Sequence, residues 1–198
     1  MKYSASIISN SFWFLESKKV AELILEGYSK DEILNTALED NIFQVETERR
    51  VRDITNTTYR RLKSFPEEVL EYFVRVDVNS AKVFVLISIL KSDKLFFEFM
   101  YEVYREHIIL GNYHLQKADF TRFFMNKANQ SETVANWNEK TVNKLIANYK
   151  LFMSEAGLLD TSDDEDLITV PFIDYRLRNL LEKDEKYVPY LKAITGES

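Results

Sequence analysis

The chain has 198 residues, 45% of them hydrophobic, and a net charge of −6, which argue against a disordered chain and against a strongly basic nucleic-acid binder. Cysteine is absent, so the composition excludes disulfide bonds and thiolate metal ligands. Only 4 glycines and 3 prolines occur. Because these helix-breaking residues are so few, the composition favours long helices over a many-stranded β fold.

Helical periodicity and capping residues predict about six helices in the first part of the chain. Ser29 and Glu32 form a capping box at the start of one helix, and Gly111 suits the C-terminal end of another. Residues 79–91 are apolar on nearly all sides, which predicts a helix at the centre of its domain. The predicted helices cover residues 18–26, 29–38, 45–62, 66–77, 79–91 and 94–110. We therefore predict a helical bundle over residues 1–111.

The pattern changes after this bundle. Ser131 and Asn138 suit helix N-caps, and Pro171 is compatible with an edge strand. The predicted elements are helices over residues 116–129, 131–137, 138–156 and 174–183, and a strand over 167–172 that follows an acidic turn at 161–166. Two short helices, a longer third helix and a β-turn are the order of a winged helix-turn-helix. We therefore predict a winged-helix-like region with a small β wing over residues 112–198, and an all-α fold class for the chain.

The helix predicted over residues 138–156 carries the first candidate for nucleic-acid binding. Its apolar side chains recur at helical spacing and are expected to be buried, and they are Val142, Leu145, Ile146, Tyr149, Phe152 and Met153. The opposite side carries Lys140, Thr141, Lys144 and Asn148, residue types that contact phosphates or base edges. An ordinary amphipathic helix with a solvated face is the alternative. The acidic residues 163–166 would repel a phosphate backbone, so this wing is expected to point away from DNA or to contact a protein.

The helix predicted over residues 45–62 carries the second candidate. Residues 44–63 contain six basic and three acidic side chains, so positive charge is concentrated locally although the whole chain is acidic. Such a run can grip phosphates. The alternative is a solvated face whose cations pair with Glu46, Glu48 and Asp53. The candidate phosphate-binding residues are Arg49, Arg50, Arg52, Arg60, Arg61 and Lys63.

Motifs for chemistry or for membrane insertion are absent from the sequence. The two histidines, His107 and His114, lack further metal ligands in register, and neither a Gly-rich phosphate loop nor a nucleophile elbow occurs. The most apolar stretch, residues 83–90, is far shorter than the ~20 residues of a transmembrane helix, and no signal-peptide pattern precedes it. We therefore expect a cytoplasmic, non-enzymatic protein without a cofactor, a metal or a membrane partner.

Several short stretches spread along the chain are familiar as a set. The most distinctive are LFFEF at residues 95–99 and EVYR at 102–105. The others are YSA at 3–5, FW at 12–13, NIF at 41–43, ERR at 48–50, RL at 61–62, FF at 123–124, QSE at 130–132, VANW at 134–137, Thr141 and EAGLL at 155–159. Together they resemble the BrxA family, a small component of BREX bacteriophage-exclusion systems.

The resemblance implies a helical bundle similar to the NusB antitermination fold, binding to double-stranded DNA, and a role in phage defence beside larger BREX enzymes. Two hypotheses follow. The first is a non-enzymatic DNA-binding accessory protein, for which RNA remains a possible ligand. The second is a protein–protein adaptor that assembles the BREX complex without touching nucleic acid, through the acidic turn and exposed aromatic side chains.

Overall fold

Helices form most of the residues that the structure, a computed structural model, describes, namely 2–161 and 166–197. The predicted all-α class is confirmed, since the strands found in these two ranges form one sheet of two- and three-residue strands. Each helix is either too short or too polar in these ranges to cross a lipid bilayer.

The N-terminal helices follow the predicted order. Ser29 caps one of them, because its Oγ accepts the Glu32 amide at 3.4 Å and the Glu32 carboxylate accepts the Ser29 amide at 2.8 Å. The elements are a 3₁₀ turn (Ser6–Ser9), α1 (Phe14–Leu25), α2 (Lys30–Glu39), α3 (Glu48–Leu62), α4 (Glu67–Arg75), α5 (Val78–Ser92), α6 (Lys94–Phe99), a π-helical turn (Met100–Tyr104) and α7 (Arg105–Ile109). The helix predicted over residues 94–110 is thus present, with a π turn in its middle.

The second part contains more elements than predicted. They are β1 (His114–Leu115), α8 (Lys117–Gln130), α9 (Glu132–Ala135), α10 (Glu139–Glu155), β2 (Leu159–Asp160), β3 (Asp166–Ile168), α11 (Tyr175–Glu182) and α12 (Val188–Thr195). The strands pair antiparallel in the order β1-β3-β2, with His114 opposite Leu167 and Leu159 opposite Ile168. The predicted strand over 167–172 is too long, because it ends at Ile168 before Pro171. Neither β1 nor α12 was predicted.

The apolar helix α5 lies at the centre of the core, as its composition predicts. Every residue from Ser80 to Leu90 except Lys82 is buried. Each buried Leu, Ile or Phe side chain contributes ~1.5–3 kcal/mol relative to an exposed one. The two buried serines keep hydrogen-bond partners, since Ser88 donates to the Val85 carbonyl at 2.7 Å and Ser80 accepts the Asp174 amide at 3.2 Å.

A single hydrophobic core runs across the predicted boundary at residue 111. The Phe99 and Phe120 rings stack at a centroid distance of 4.7 Å, and Phe96 stacks on Tyr149 at 4.3 Å. Helix α11 packs on α4, and α12 packs on α5 and α7, so the end of the chain returns to the N-terminal bundle. The two regions therefore share one core, and the division at residue 111 stays a prediction.

Candidate nucleic-acid interface

Helix α3 carries a stripe of exposed cations. Arg49, Arg52, Arg60 and Lys63 are all exposed, and their spacing of 3, 11 and 14 residues places them on one face. We call these four residues the α3 stripe. At a rise of ~1.5 Å per residue the stripe is ~21 Å long.

The acidic residues near the stripe neutralise little of it. Arg52 pairs with Glu48 at 3.5 Å, with half of the Arg52 side chain exposed. Within residues 2–161 and 166–197, no carboxylate oxygen lies within 4.0 Å of the charged nitrogens of the other three cations. Of the four cations, only Arg52 is thus paired with an acidic residue of the described part of the chain, as the alternative interpretation expects.

Arg61 lies on a different face of α3 and is buried, with 2% of its surface exposed. Its guanidinium donates to the Phe12 carbonyl at 3.2 Å and to the Ser11 carbonyl at 3.3 Å. Burial, followed by the neighbouring charge of Arg60, lowers the pKa of Arg61 to about 9. This corrects the expectation that Arg61 contacts phosphate, because a buried guanidinium with protein acceptors does not reach a ligand.

Arg50 has a similar structural role. It is half-buried, its Nη2 donates to Ser11 Oγ at 3.1 Å, and its Cζ lies 5.0 Å from the Trp13 ring centroid. Arg61 also approaches that ring, at 5.6 Å. Trp13 has a φ of 55°, a left-handed conformation that is uncommon for a bulky residue. The two arginines thus hold an unusual stretch of backbone in place.

Helix α10 presents a second, smaller positive face. Asn138 caps the helix by accepting the Thr141 amide at 2.8 Å. Lys140, Lys144 and Asn143, a residue that the sequence analysis missed, are exposed and line one shallow depression together with Glu139 and Ala147. We call the two lysines and Asn143 the α10 face. The predicted burial is confirmed for Leu145, Tyr149, Phe152 and Met153, whereas Val142 and Ile146 are only half-buried.

Among the residues that the structure describes, the lysines of the α10 face have no close acidic partner. No carboxylate oxygen of the described part of the chain lies within 4.0 Å of Lys140 Nζ or Lys144 Nζ. Lys150, by contrast, pairs with Asp166, the only member of the predicted acidic run 163–166 that the structure describes. The other three, Asp163, Asp164 and Glu165, lie outside the described residues.

Thr141 and Asn148 differ from their predicted position on the exposed side. Both are half-buried, and the Asn148 Nδ2 donates to the Ile7 carbonyl at 2.8 Å. Readout of adenine needs the donor and the acceptor of the amide together. Because one of the two Nδ2 hydrogens already has a protein acceptor and the side chain is half-buried, Asn148 is better placed to hold the N-terminal segment than to read a base.

Lys127 is a basic residue that the structure places in the interior. Only 4% of its surface is exposed, and its Nζ lies 2.6 Å from Glu98 Oε2 and 2.7 Å from Glu102 Oε1. Tyr3 donates to the same Glu98 oxygen at 2.7 Å. Burial raises the pKa of Glu98, but the hydrogen bonds from Lys127 and Tyr3 outweigh it, so that the pKa lies below its usual range.

The histidines show no grouping that suits chemistry. His107 Nδ1 lies 3.0 Å from the Asn112 carbonyl, and its Nε2 lies 3.4 Å from Asp119 Oδ2. In the ranges that the structure covers, no group of three or more His, Asp or Glu side chains is arranged to hold a metal ion.

The fold defines a small all-α protein whose helical core carries one short β-sheet and two exposed cationic helix faces. The BrxA family model matches residues 1–185. The chain therefore belongs to the BrxA family, a family of BREX phage-defence components.

Two relatives carry the family's name, and one solved structure shares the fold. The relative "BREX protein BrxA" of Bacillus cereus (strain H3081.97) is 40% identical over 172 residues, which cover 87% of this chain and 86% of the relative. The "BREX protein BrxA" of Paramagnetospirillum magneticum (strain ATCC 700264 / AMB-1) is 22% identical over 187 residues, 94% of each chain. A crystal structure of an uncharacterized protein from Magnetospirillum magneticum is similar over 100% of both chains, with a TM-score of 0.80 and 22% identity, which shows the fold alone.

Proposed function

We propose that this BrxA-family chain is a non-enzymatic accessory protein of a BREX phage-defence system that binds double-stranded DNA. The observation that carries the proposal is the α3 stripe, where three of four exposed cations lack a carboxylate partner in the described part of the chain. Unpaired surface cations attract phosphates and release the counterions that surround DNA, which drives association. The α10 face adds two more such cations.

The order of elements around α10 supports the same proposal. Helices α9 and α10 are separated by residues 136–138, and a connection of this length is typical of a helix-turn-helix. Strands β2 and β3 follow, in the place of a wing, and β1 pairs with β3. In such a motif the second helix enters the major groove, so Lys140 and Lys144 would meet the duplex. The NusB-like character of the bundle stays a prediction.

The salt dependence of duplex binding tests this function. Six exposed cations, four on the α3 stripe and two on the α10 face, correspond to a slope of log Kobs against log salt of about −5.4 on B-DNA. Affinity should then fall ~10³-fold between ~50 and ~200 mM salt. Fluorescence anisotropy with duplex DNA and duplex RNA in parallel gives both slopes, and an affinity that hardly changes with salt contradicts the phosphate-contact mechanism.

An adaptor function is the second candidate, and exposed aromatic residues favour it. Phe172 is 83% exposed and lines a cleft of about 500 Å³ between the N-terminus of α5, the C-terminus of α10 and residues 169–172, and Tyr175, three residues further on, is 75% exposed. Large exposed rings are typical anchors of protein interfaces. This surface shares no residue with the α3 stripe or the α10 face.

Co-purification distinguishes the two functions. If the chain is an adaptor, Phe172→Ala with Tyr175→Ala should remove BREX partners from a pull-down and leave DNA binding unchanged. Leu15→Ala is the matched control, because Leu15 is 74% exposed on another part of the surface. Retention of every partner by the double variant rejects this surface as the adaptor site.

A further inference from the structure

Phe172 and the cleft that it lines place an apolar projection beside a recess on one surface. At 83%, Phe172 is the most exposed large apolar side chain in the described part of the chain. The cleft has a volume of about 500 Å³, and the buried residues Val83 and Ala156 belong to its lining. Volumes of ~300–1,000 Å³ are typical of sites that enclose a ligand. The recess is therefore large enough to receive an aromatic side chain from another molecule.

The segment that carries Phe172 is anchored at both ends. Thr169 donates its amide to the Leu158 carbonyl at 2.9 Å, and Asp174 donates its amide to Ser80 Oγ at 3.2 Å. The four residues between them make no hydrogen bond with any described residue. Phe172 is thus held at the surface by a short anchored segment, so little conformational freedom is lost when a partner covers it.

The same cleft carries two unpaired charges of opposite sign. Lys82 is half-buried and Glu155 is exposed, and both line the cleft. In the two described ranges, neither forms an ion pair within 4.0 Å, whether with the other or with a third residue. The remaining charged residue of the lining, Asp77, accepts the amides of Asn79 and Ser80 at 3.0 Å each. Lys82 and Glu155 are therefore the charges that a partner can pair.

We infer that this surface, formed by Phe172, Lys82, Glu155 and the cleft that they line, binds the same surface of a second copy of the chain about a two-fold axis. Phe172 of each copy enters the cleft of the other copy, and Lys82 of each copy pairs with Glu155 of the other. The inference goes beyond the proposed DNA binding and does not rest on it, because none of these residues belongs to the α3 stripe or the α10 face.

Self-complementarity is the reason for choosing a second copy as the partner. A two-fold interface uses one patch twice, so every projection and charge must find its complement within that patch. Here a ring lies beside a recess, and a free cation lies in the same cleft as a free anion. An unrelated protein would have to supply both complements itself, whereas a second copy already carries them.

The oligomeric state of the purified chain tests the inference. Light scattering and sedimentation between ~1 and ~300 µM should show the mass rise from 23.4 kDa towards twice that value, because a small interface implies micromolar affinity. Phe172→Ala should raise the dimer dissociation constant by ~100-fold or more, since each dimer loses two buried rings. Leu15→Ala is the matched control, because Leu15 is 74% exposed elsewhere on the surface, and it should leave the constant unchanged.

Charge reversal tests the two-fold arrangement itself. Lys82→Glu and Glu155→Lys should each weaken the dimer by about tenfold, because each variant alone places like charges opposite one another twice. An equimolar mixture of the two variants should recover the affinity of the unaltered chain, since the mixed dimer contains two opposite-charge pairs. Circular dichroism of each variant checks that the helices are retained.

The results that overturn the inference are distinct from those that concern DNA. A chain that stays monomeric at ~300 µM overturns self-association, even if Phe172→Ala removes another protein from a pull-down. A dimer that Phe172→Ala leaves unchanged, or a mixture that recovers no affinity, overturns this surface as the interface. Absence of DNA binding by the unaltered chain overturns the proposed function and leaves the self-association standing.

Discussion

Arg60 and Arg61 are adjacent in sequence, yet the structure gives them opposite environments. Arg60 is exposed on the α3 stripe, whereas Arg61 is 2% exposed and bonded to backbone carbonyls. We predict that Arg60→Ala impairs DNA binding without changing stability, and that Arg61→Ala lowers stability without changing the salt slope of the folded protein. One residue is thus the control for the other.

The expected stability loss follows from the contacts of Arg61. Its removal leaves the Ser11 and Phe12 carbonyls without their donor, and each unsatisfied buried acceptor costs ~1–3 kcal/mol. The cation–π contact with Trp13 contributes a further ~0.5–2 kcal/mol. The unfavourable burial of the guanidinium is relieved and offsets part of this loss. We therefore expect a net decrease in the free energy of unfolding of ~2–4 kcal/mol, against less than ~0.5 kcal/mol for Arg60→Ala.

Two measurements on the same preparations check this pair. Urea unfolding followed by tryptophan fluorescence should show the midpoint of Arg61→Ala lowered by ~1–2 M, since urea m-values are ~1–3 kcal/mol per M. Anisotropy should show the slope of Arg60→Ala reduced in magnitude by ~0.9. A stable Arg61→Ala protein with a reduced salt slope contradicts the buried role of Arg61 and returns this residue to the set of phosphate contacts.

Two further predictions concern stability. The pKa of Glu98 is lowered in the folded state, so its stabilising contribution is present above the ordinary pKa of 4.5 and is lost as pH falls through the folded-state pKa. In urea unfolding between pH 6 and 3, Glu98→Gln should therefore show a smaller loss of stability at low pH than the unaltered chain. An unchanged pH dependence contradicts the Lys127–Glu98 pairing. A Cβ at Gly196 would overlap Ile108 Cγ2, whereas one at Gly27, also at positive φ, meets no atom within 4 Å. Gly196→Ala should therefore destabilise the chain by ~1–3 kcal/mol more than Gly27→Ala in the same urea assay, and equal losses refute the close packing of α12.

Much of the helical order was predictable because its signals are local. The central position of α5 follows from a run without a polar face, and the start of α2 follows from Ser29 and Glu32, three residues apart. Strand β1 could not be predicted, because its two residues, His114 and Leu115, are too few to show an alternating pattern. It forms by pairing with β3, which is distant in sequence. The π turn at Met100–Tyr104 has no composition of its own that distinguishes it from an α-helix.

The candidate site was predictable only in part, because spacing on a helix defines a face but not what covers it. The buried side of α3 includes the polar residues Thr55, Thr57, Thr58 and Arg61. Their polarity predicts an exposed face, although α1, α2 and α5 pack around this helix. The acceptor of Arg61 is Ser11, 50 residues earlier, which no local pattern reveals. Asn148 was misplaced for the same reason, since its partner is Ile7.

The net charge of −6 counts less against DNA binding once the positions of the carboxylates are considered. Asp77, Asp93 and Asp174 accept amides at helix N-termini, where negative charge is favourable, while Glu98 and Asp166 pair with lysines outside the two cationic surfaces. These five carboxylates therefore serve the fold and do not neutralise the α3 stripe. Four like charges on one helix face repel one another and add no packing to the core, so they cost stability. An anionic ligand that spans the stripe offsets this repulsion, and the regular, closely spaced phosphates of a duplex suit a row of cations ~21 Å long.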